Sequence, residues 1–518
     1  MNKINKLFNN YINKNKEEKN IFIEPFFEKN IIIEKSDNII IENGKKFYLE
    51  KENIYSLTED YEGNLNYYFS IYKINDKYIL FYRAWKHDNS LTLGNYDETH
   101  FAYSLSENGL SFINKNILLK NNKNAHNFFP YFYKNKIIAL GGTSDIKYST
   151  GGLNLFEFKN DTFELKKEHI INTKNMLPTE WHPGGNHFDS LNTINYYEKK
   201  FYIHCRHNKI ENPSRQSQLF ITENFDTISY PEVCKYWNEK NLIQRPFYYP
   251  GIIPYLNTNY VLSIPTYFVS TFDKCPDSLF FSKKNDQLNF FQINNLKLNK
   301  NCSFVNGIVP NLNNDKYFIY VVNNYGNKNL NIDCFSIEKD RFKCISCKEK
   351  GYFKIKINNE INIYTLLNNF FINFESFNDG FINIQIINDK HEIIYNSDNV
   401  SGNHIECKIC FKNIIKLNNN NNLYLIFNIN NSSLYSYKLD NSNELDNELN
   451  KNVEDKLNKV LNKNSNELDN ELNKNVEDKL NEVLNKNSNE LDNKLDKNVG
   501  DKLNEVLHLF TFQTPILK

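Results

Sequence analysis

The sequence predicts an all-β chain: a five-bladed β-propeller, then a β-sandwich, then a helical low-complexity repeat tail. Three observations carry this. A group of short strands recurs five times between about residues 65 and 340, alternating strands from 341 to 439 break that period, and 23-residue units begin at Asn441. A strand group repeating at a fixed period is the signature of a propeller, one sheet per blade. The rival reading of the same strands is a β-sandwich with accidental similarity.

The five units open at Tyr67 (YYFSIYKINDKYILFYRAW), His126 (HNFFPYFYKNKIIALGG), Phe188 (FDSLNTINYYEKKFYIHCR), Tyr248 (YYPGIIPYLNTNYVLSIP) and Phe304 (FVNGIVPNLNNDKYFIYVV), 56–62 residues apart. Each has a first strand, a polar turn, a second strand rich in Tyr, Ile and Leu, and a third strand with its own turn. Residues 341–439 read as YFKIKI, NIYTLL, FFINFES, GFINIQII, HIECKICF, LYLIFNI and SLYSYKL, seven strands of an antiparallel sandwich. In the tail, Leu445, Leu449, Val453, Leu457 and Leu461 recur every four residues, a weakly apolar helical stripe. A period of 23 is three heptads plus two, so one coiled-coil face is not preserved. The division expected is a disordered segment over 1–20, the propeller over 21–340, the sandwich over 341–439 and the repeat tail over 440–518.

Composition bounds function. The 518 residues carry 62 basic and 62 acidic side chains, so the basic surplus of a nucleic-acid binder is missing. No run of about 18 apolar residues suggests a membrane span. The first twenty residues lack a signal peptide's apolar stretch, and nine scattered Cys fit a reducing compartment, so a cytoplasmic location is expected. The chain is flooded with Asn, Lys, Ile, Tyr and Phe, which makes its rare residues informative. There are five Arg against 57 Lys, and four of the five are Arg83, Arg206, Arg215 and Arg245. An Arg retained where Lys would serve for charge suggests a need for its planar fork.

Propeller ligands bind at one mouth of the central channel, so the first-strand openings are the places to look. They read Tyr67-Tyr68, His126-Asn127, Asp189-Ser190 with Asn192, Tyr248-Tyr249, and Asn306-Gly307. Tyr, His, Asn and Asp backed by Arg suit a sugar: aromatic faces such as Tyr68 and Tyr249 for its apolar side, amides and carboxylates for hydroxyls. Arg83 and Arg206 end the second strands of blades 1 and 3. Asp189 is the only acid at an opening and is the leading catalytic candidate, as acid, base or nucleophile; the alternative is an Asp that bonds backbone amides at a strand start. Glu180 and Glu62 are the further acids, Glu62 being more simply a solvated loop residue. Asp189, His126, Asn127 and Asn192 are expected to converge, with Arg83 and Arg206 approaching from the second strands.

No metal or cofactor is expected. His182 with His187, or His204 with His207, could pair on zinc, yet the latter two straddle a strand end and point to opposite faces. Cys344–Cys347 and Cys407–Cys410 lie inside strand patterns, where positions three apart face opposite sides, and read as small buried side chains. No nucleotide-binding glycine loop is present.

The stretches YFSIYKINDKYILFYRAW, AHNFFPYFYKNKIIALGG, HFDSLNTINYYEKKFYIHCR and YYPGIIPY resemble the five-bladed β-propeller glycoside hydrolases of families 32 and 43. In particular the chain resembles the family-32-like proteins that follow the propeller with a C-terminal β-sandwich, and LYLIFNINNSSLYSYKL is similar to their closing strands. The resemblance covers about residues 20–439. It implies a glycosidase-like activity on a glycosidic bond in the central cavity, with a carbohydrate as substrate or ligand. It also implies three carboxylates on the first strands of blades 1, 2 and 3, where this chain offers Tyr67-Tyr68, His126-Asn127 and Asp189. A second carboxylate must then come from a loop, from Glu62, Glu180 or Asp97. The rivals are a non-catalytic carbohydrate-binding propeller and an interaction scaffold whose helical tail mediates protein association.

Overall fold

The computed structural model describes residues 3–13, 21–24, 31–62, 66–85, 99–120, 122, 127–142, 152–172, 188, 190–208, 215–238, 241–243, 247–249, 251–255, 258–268, 274–275, 278–295, 302–324, 329–357, 361, 363–414 and 422–440. The chain divides into two compact units, Met1–Ser442 and Asn443–Lys518; the second, with the 23-residue repeats, lies outside the described residues.

Five sheets correspond to the five sequence units. Blade 1 runs Tyr67–Ile74, Lys77–Trp85, Thr99–Ser106 and Asn114–Leu119 from the inside outward, and blade 2 runs Phe129–Tyr133, Lys136–Gly142, Gly152–Lys159 and Thr162–Asn172. Blade 3 is Thr193–Tyr197, Lys200–Asn208, Arg215–Thr222 and the two-residue Glu232–Val233. The polar turns are tight because both central residues take positive φ: Asn75 and Asp76 at 49° and 63°, Glu198 and Lys199 at 47° and 66°. That is the mirror-image turn whose twist matches a two-residue hairpin.

Two blades depart from the expected four-strand plan. Blade 4 (Ile252–Pro254, Tyr260–Ser263, Ser278–Lys283, Asn289–Asn295) gains Lys235–Asn238, which pairs parallel to Asn289–Asn295, and then Asn241–Leu242. Blade 5 has Ser303–Phe304 and Val309–Pro310 on Lys316–Asn323, then Asn331–Glu338, and its outermost strand is Tyr48–Ser56, taken from before blade 1. The ring is therefore closed by the two ends of its own chain. Near the axis the first strands also meet: Asn306 N donates to Phe69 O at 2.8 Å and Ile71 N to Asn306 O at 2.9 Å. Gly307 permits this approach, since a Cβ there would lie 2.5 Å from Ile71 O, and its φ is 138°. Tyrosines staple neighbouring blades: the Tyr78 hydroxyl donates to Pro310 O at 2.9 Å, and Tyr196 N donates to the Tyr131 hydroxyl at 3.0 Å.

The N-terminal segment is not disordered throughout. Lys3–Asn13 is a helix whose Ile4, Phe8 and Tyr11 are buried, with Phe8 against Phe81, Phe132, Phe158 and Phe163 of blades 1 and 2. Spacings of four and three put these side chains on one helical face. Asn9 Nδ2 donates to Asp161 Oδ1 at 2.8 Å and fixes the helix over that groove. No helix among the described residues is long and apolar enough to cross a membrane.

The C-terminal β domain is one nine-stranded sheet. Its three long strands, Lys343–Lys356, Phe370–Ile387 and Tyr424–Asp440, carry register shifts after Cys347, Ser376 and Asn373. Phe427 and Leu434, seven residues apart on one strand, share a core with Phe353, Phe374 and Ile384, so the two halves of the sheet face each other. GFINIQII and FFINFES are thus one bent strand, as are LYLIFNI and SLYSYKL. The expected strand NIYTLL is instead a short helix, Ile363–Asn368, because a short apolar run does not declare its own period. Ile345 and Cys347 point into this core, while Cys344 lies across from Glu42 on the other face, its Sγ 3.8 Å from Asn43 O.

Strand pairing also moves a boundary. Ile21–Glu24 pairs with Tyr424–Asp440, and Ile32–Lys35 and Ile40–Asn43 pair with Lys343–Lys356. These three strands belong to the C-terminal sheet, not to the propeller. At the seam the fifth arginine, Arg341, is fully buried: Nε donates to Asn373 Oδ1 at 2.9 Å, Nη2 donates to Asn403 Oδ1 at 2.6 Å, the guanidinium pairs with Glu338, and it lies 4.6 Å from the Tyr435 ring centroid.

Candidate functional site

The first-strand openings are built by amides. Asn127, completely buried, donates through Nδ2 to Phe188 O and accepts from Gly142 N through Oδ1 at 2.7 Å. Asn192 donates to the same Phe188 carbonyl at 3.2 Å and to Ser190 O at 3.1 Å. Two side chains from two blades thus clamp one peptide. Register explains Gly142. Arg83 faces Tyr67 across blade 1, and the corresponding second-strand position of blade 2 is Gly142, facing Asn127. A Cβ on Gly142 would lie 2.9 Å from Asn127 Nδ2 and 2.9 Å from Phe188 Cβ, so the glycine makes room for the clamp.

Arg83 is buried in an aromatic cage. Its guanidinium carbon lies 4.7 Å from the Tyr67 ring centroid, 4.8 Å from Tyr68 and 5.2 Å from Trp85. Such stacking holds the planar fork in one orientation. Tyr68 adopts φ of 56°, an uncommon conformation for a bulky residue, and turns its ring onto Arg83. Asn66 Oδ1 accepts from Trp85 N at 3.1 Å and fixes the cage floor. Arg206 is buried at the matching end of blade 3, its carbonyl accepting from Gln218 Nε2 at 3.0 Å. Tyr249 lies in Phe247–Tyr249, part of a small three-stranded sheet beside the blades.

Buried polar atoms without a hydrogen-bond partner among the described residues gather at these same openings: Ser70 Oγ, Ser190 Oγ, Asn192 Oδ1, and both amide atoms of Asn306. Unsatisfied groups cost about 1–3 kcal/mol each, so the openings form a collar ready to receive hydroxyls or water.

Glu62 is not a solvated loop acid. Its side chain is 0% exposed, and Oε2 accepts from Thr58 N at 2.9 Å, Glu59 N at 3.0 Å and Lys115 Nζ at 2.8 Å, while Oε1 takes the Tyr55 hydroxyl. Burial pushes its pKa up, but Lys115 and Tyr55 outweigh burial and hold the carboxyl below the usual range. With both oxygens engaged it acts as a clamp. His204 is a core side chain: burial pushes its pKa down to about 4, and Nε2 lies 3.3 Å from Gln287 O.

Asp189, Glu180, His126, Asp97, His182 and His187 lie outside the described residues. Among the described residues no three His, Cys, Asp or Glu side chains are placed to share a metal ion. Of the predicted group, Asn127 and Asn192 meet on one carbonyl, and Arg83 and Arg206 occupy matching strand ends. Trp85 was not singled out in the sequence, although it is one of only three tryptophans in the chain.

No known family profile matches the sequence, and no curated protein matches it either. Solved structures do resemble it. One is an N-acetylgalactosamine deacetylase from F. plautii (10% identity, 57% of this chain and 96% of that one, TM-score 0.38). Another is a glycoside hydrolase family 43 arabinoxylan arabinofuranohydrolase from Bacillus subtilis (7% identity, 73% and 96%, TM-score 0.35). A third is an α-L-arabinanase from Penicillium chrysogenum (11% identity, 57% and 99%, TM-score 0.34).

Proposed function

We propose that this chain is a glycosidase-like protein acting on a glycosidic bond at the mouth of the propeller channel. The observation that carries the reading is the double amide clamp on Phe188 O, which fixes the backbone next to Asp189 from blades 2 and 3 at once. A backbone carbonyl held by two buried amides gives the residue that follows it a preorganised attachment of the kind bond cleavage needs. Asp189 is assigned as the catalytic carboxylate, working as base or nucleophile. Arg83, Arg206, Tyr68 and His126 hold or face the sugar, and Asn127 and Asn192 position the acid. Because Glu62 is fully engaged in the clamp at Lys115, the proton donor is assigned to Glu180; two-carboxylate hydrolysis in general requires a spacing of about 5–9 Å depending on stereochemistry.

The test is Asp189→Asn, which keeps shape and removes charge. A panel of aryl glycosides should show turnover lost in the variant while a glycan array shows sugar binding retained. Unchanged turnover removes Asp189 from its role. Glycan binding without turnover in the parent chain makes the protein a non-catalytic carbohydrate-binding propeller, the reading favoured by Tyr67-Tyr68 standing where the resemblance implies an acid.

A further inference from the structure

Away from the channel, chemistry-bearing side chains gather at the seam between blade 5 and the C-terminal sheet. Asp340, only 6% exposed, follows the third strand of blade 5. Both of its hydrogen bonds fall on one oxygen: the Tyr255 hydroxyl and, at 3.3 Å, the Tyr317 hydroxyl donate to Oδ1. Oδ2 takes no hydrogen bond among the described residues, and Asp340 lines a cleft of about 170 Å³ that opens between the two β domains. From the sheet side come Phe371, Ser436, Glu406 and Lys438, and Asn314 stands on the blade side. Lys438 Nζ lies 2.5 Å from Glu406 Oε1, 3.7 Å from Asp440 Oδ2 and 5.2 Å from the Phe371 ring centroid.

We propose that this cleft is a second ligand site, separate from the channel, that takes one small neutral polyol the size of a single sugar ring. Three features choose that class. The cleft falls short of the ~300 Å³ at which ordinary small-molecule pockets begin, which suits a ligand of one ring rather than a longer chain. Lys438 is already paired with Glu406 and Asp440, and an anionic ligand would have to compete with those pairs. The lining supplies hydroxyl, amide, carboxyl and ammonium heads together with one aromatic ring, which suits closely spaced hydroxyls on an apolar ring. Burial pushes the Asp340 carboxyl above its ordinary value; the Tyr255 bond, Lys339 and Tyr317 pull it back, and Glu406 pushes it up again. Oδ2, which neither tyrosine occupies, is the atom left to bond a ligand hydroxyl. A seam serving only to join two domains has no reason to leave one oxygen of a nearly buried carboxyl facing an open cleft.

The site does not depend on the channel being catalytic. Saturation-transfer NMR on the full chain, with D-xylose, D-galactose and myo-inositol as probes, tests it. At least one probe should bind. Glu406→Gln, a half-exposed change that leaves the fold intact, should weaken it by about tenfold, the loss of one charged hydrogen bond. Asp340→Asn, which turns one of the carboxylate oxygens into an amide donor, should weaken it as well. Asn192→Ala, at the channel, should leave this binding unchanged. No binding of any probe overturns the proposal. So does binding that survives both cleft changes and disappears in Asn192→Ala.

Discussion

Lys115 is the residue whose loss should cost the ring most. It stands on the outer strand of blade 1, 3% exposed, and reaches Glu62 Oε2 at 2.8 Å, Thr58 Oγ1 at 3.1 Å and Ser56 O, while its ammonium lies 4.2 Å from the Tyr55 ring centroid. Ser56 ends the strand that blade 5 borrowed from the front of the chain, so this cluster pins the joint where the ring closes. Replacing Lys115 with Met keeps its length and removes its charge. Glu62 then stays buried with three neutral donors and no counter-ion. Breaking a buried pair on one side costs about 3–5 kcal/mol, against about 0–1 for an exposed pair. Urea unfolding of the parent, Lys115→Met, Glu62→Gln and the double variant gives the coupling energy directly. The single changes should each be severe and the double clearly milder than their sum. Acid should reveal the same pair. A carboxyl with a depressed folded value contributes stability that is present above its unfolded pKa of about 4.3 and lost as pH falls through the folded value. Glu62→Gln should therefore flatten the acid limb of the stability profile. A Lys115→Met cost below about 1 kcal/mol, with additive doubles, would refute the clasp.

Two other changes follow from the same geometry. His204 is neutral in the fold down to about pH 4 and protonates near 6.5 when unfolded, so its contribution is complete above 6.5 and is lost as pH falls from there toward 4. The fall should total about 3 kcal/mol in denaturant titrations across that window, and His204→Gln should remove it. Gly142→Ala should displace Asn127 and the Phe188 peptide at a strain cost of about 1–3 kcal/mol, with near-native circular dichroism and sharply reduced turnover or glycan binding. Unchanged turnover and binding in that variant would show that the amide clamp does not serve the site.

The blade repeat was legible because each unit carries its own aromatic strands and polar turn, signals that need no partner. Pairings across the whole chain were not. Nothing local in YLEKENIYS says that it will lie against Asn331–Glu338, or in IIEK that it will join Lys343–Lys356. The N-terminal helix was readable in principle from Ile4, Phe8 and Tyr11, but Asn and Lys crowding hid the stripe. Glu62 looked like any loop acid because sequence does not show burial. Arginine scarcity suggested a need for the planar fork but not burial; Arg83, Arg206 and Arg341 are all buried, and Arg341 pins the two domains together.

The C-terminal sheet takes strands from both sides of the propeller, and this sets a timetable for synthesis. Ile32–Lys35 and Ile40–Asn43 leave the ribosome early, yet their partner strand begins at Lys343. At about 5–20 residues per second they wait roughly 15 to 60 seconds. Ile33, Ile40, Tyr48 and Leu49 remain exposed even in the finished fold, and before pairing they stand on unprotected backbone edges, an invitation to nascent-chain aggregation. Chaperone dependence in the cell should thus track this waiting interval. A circular permutant that starts near residue 60 and joins the front strands directly behind residue 440 should shorten the wait and raise soluble yield.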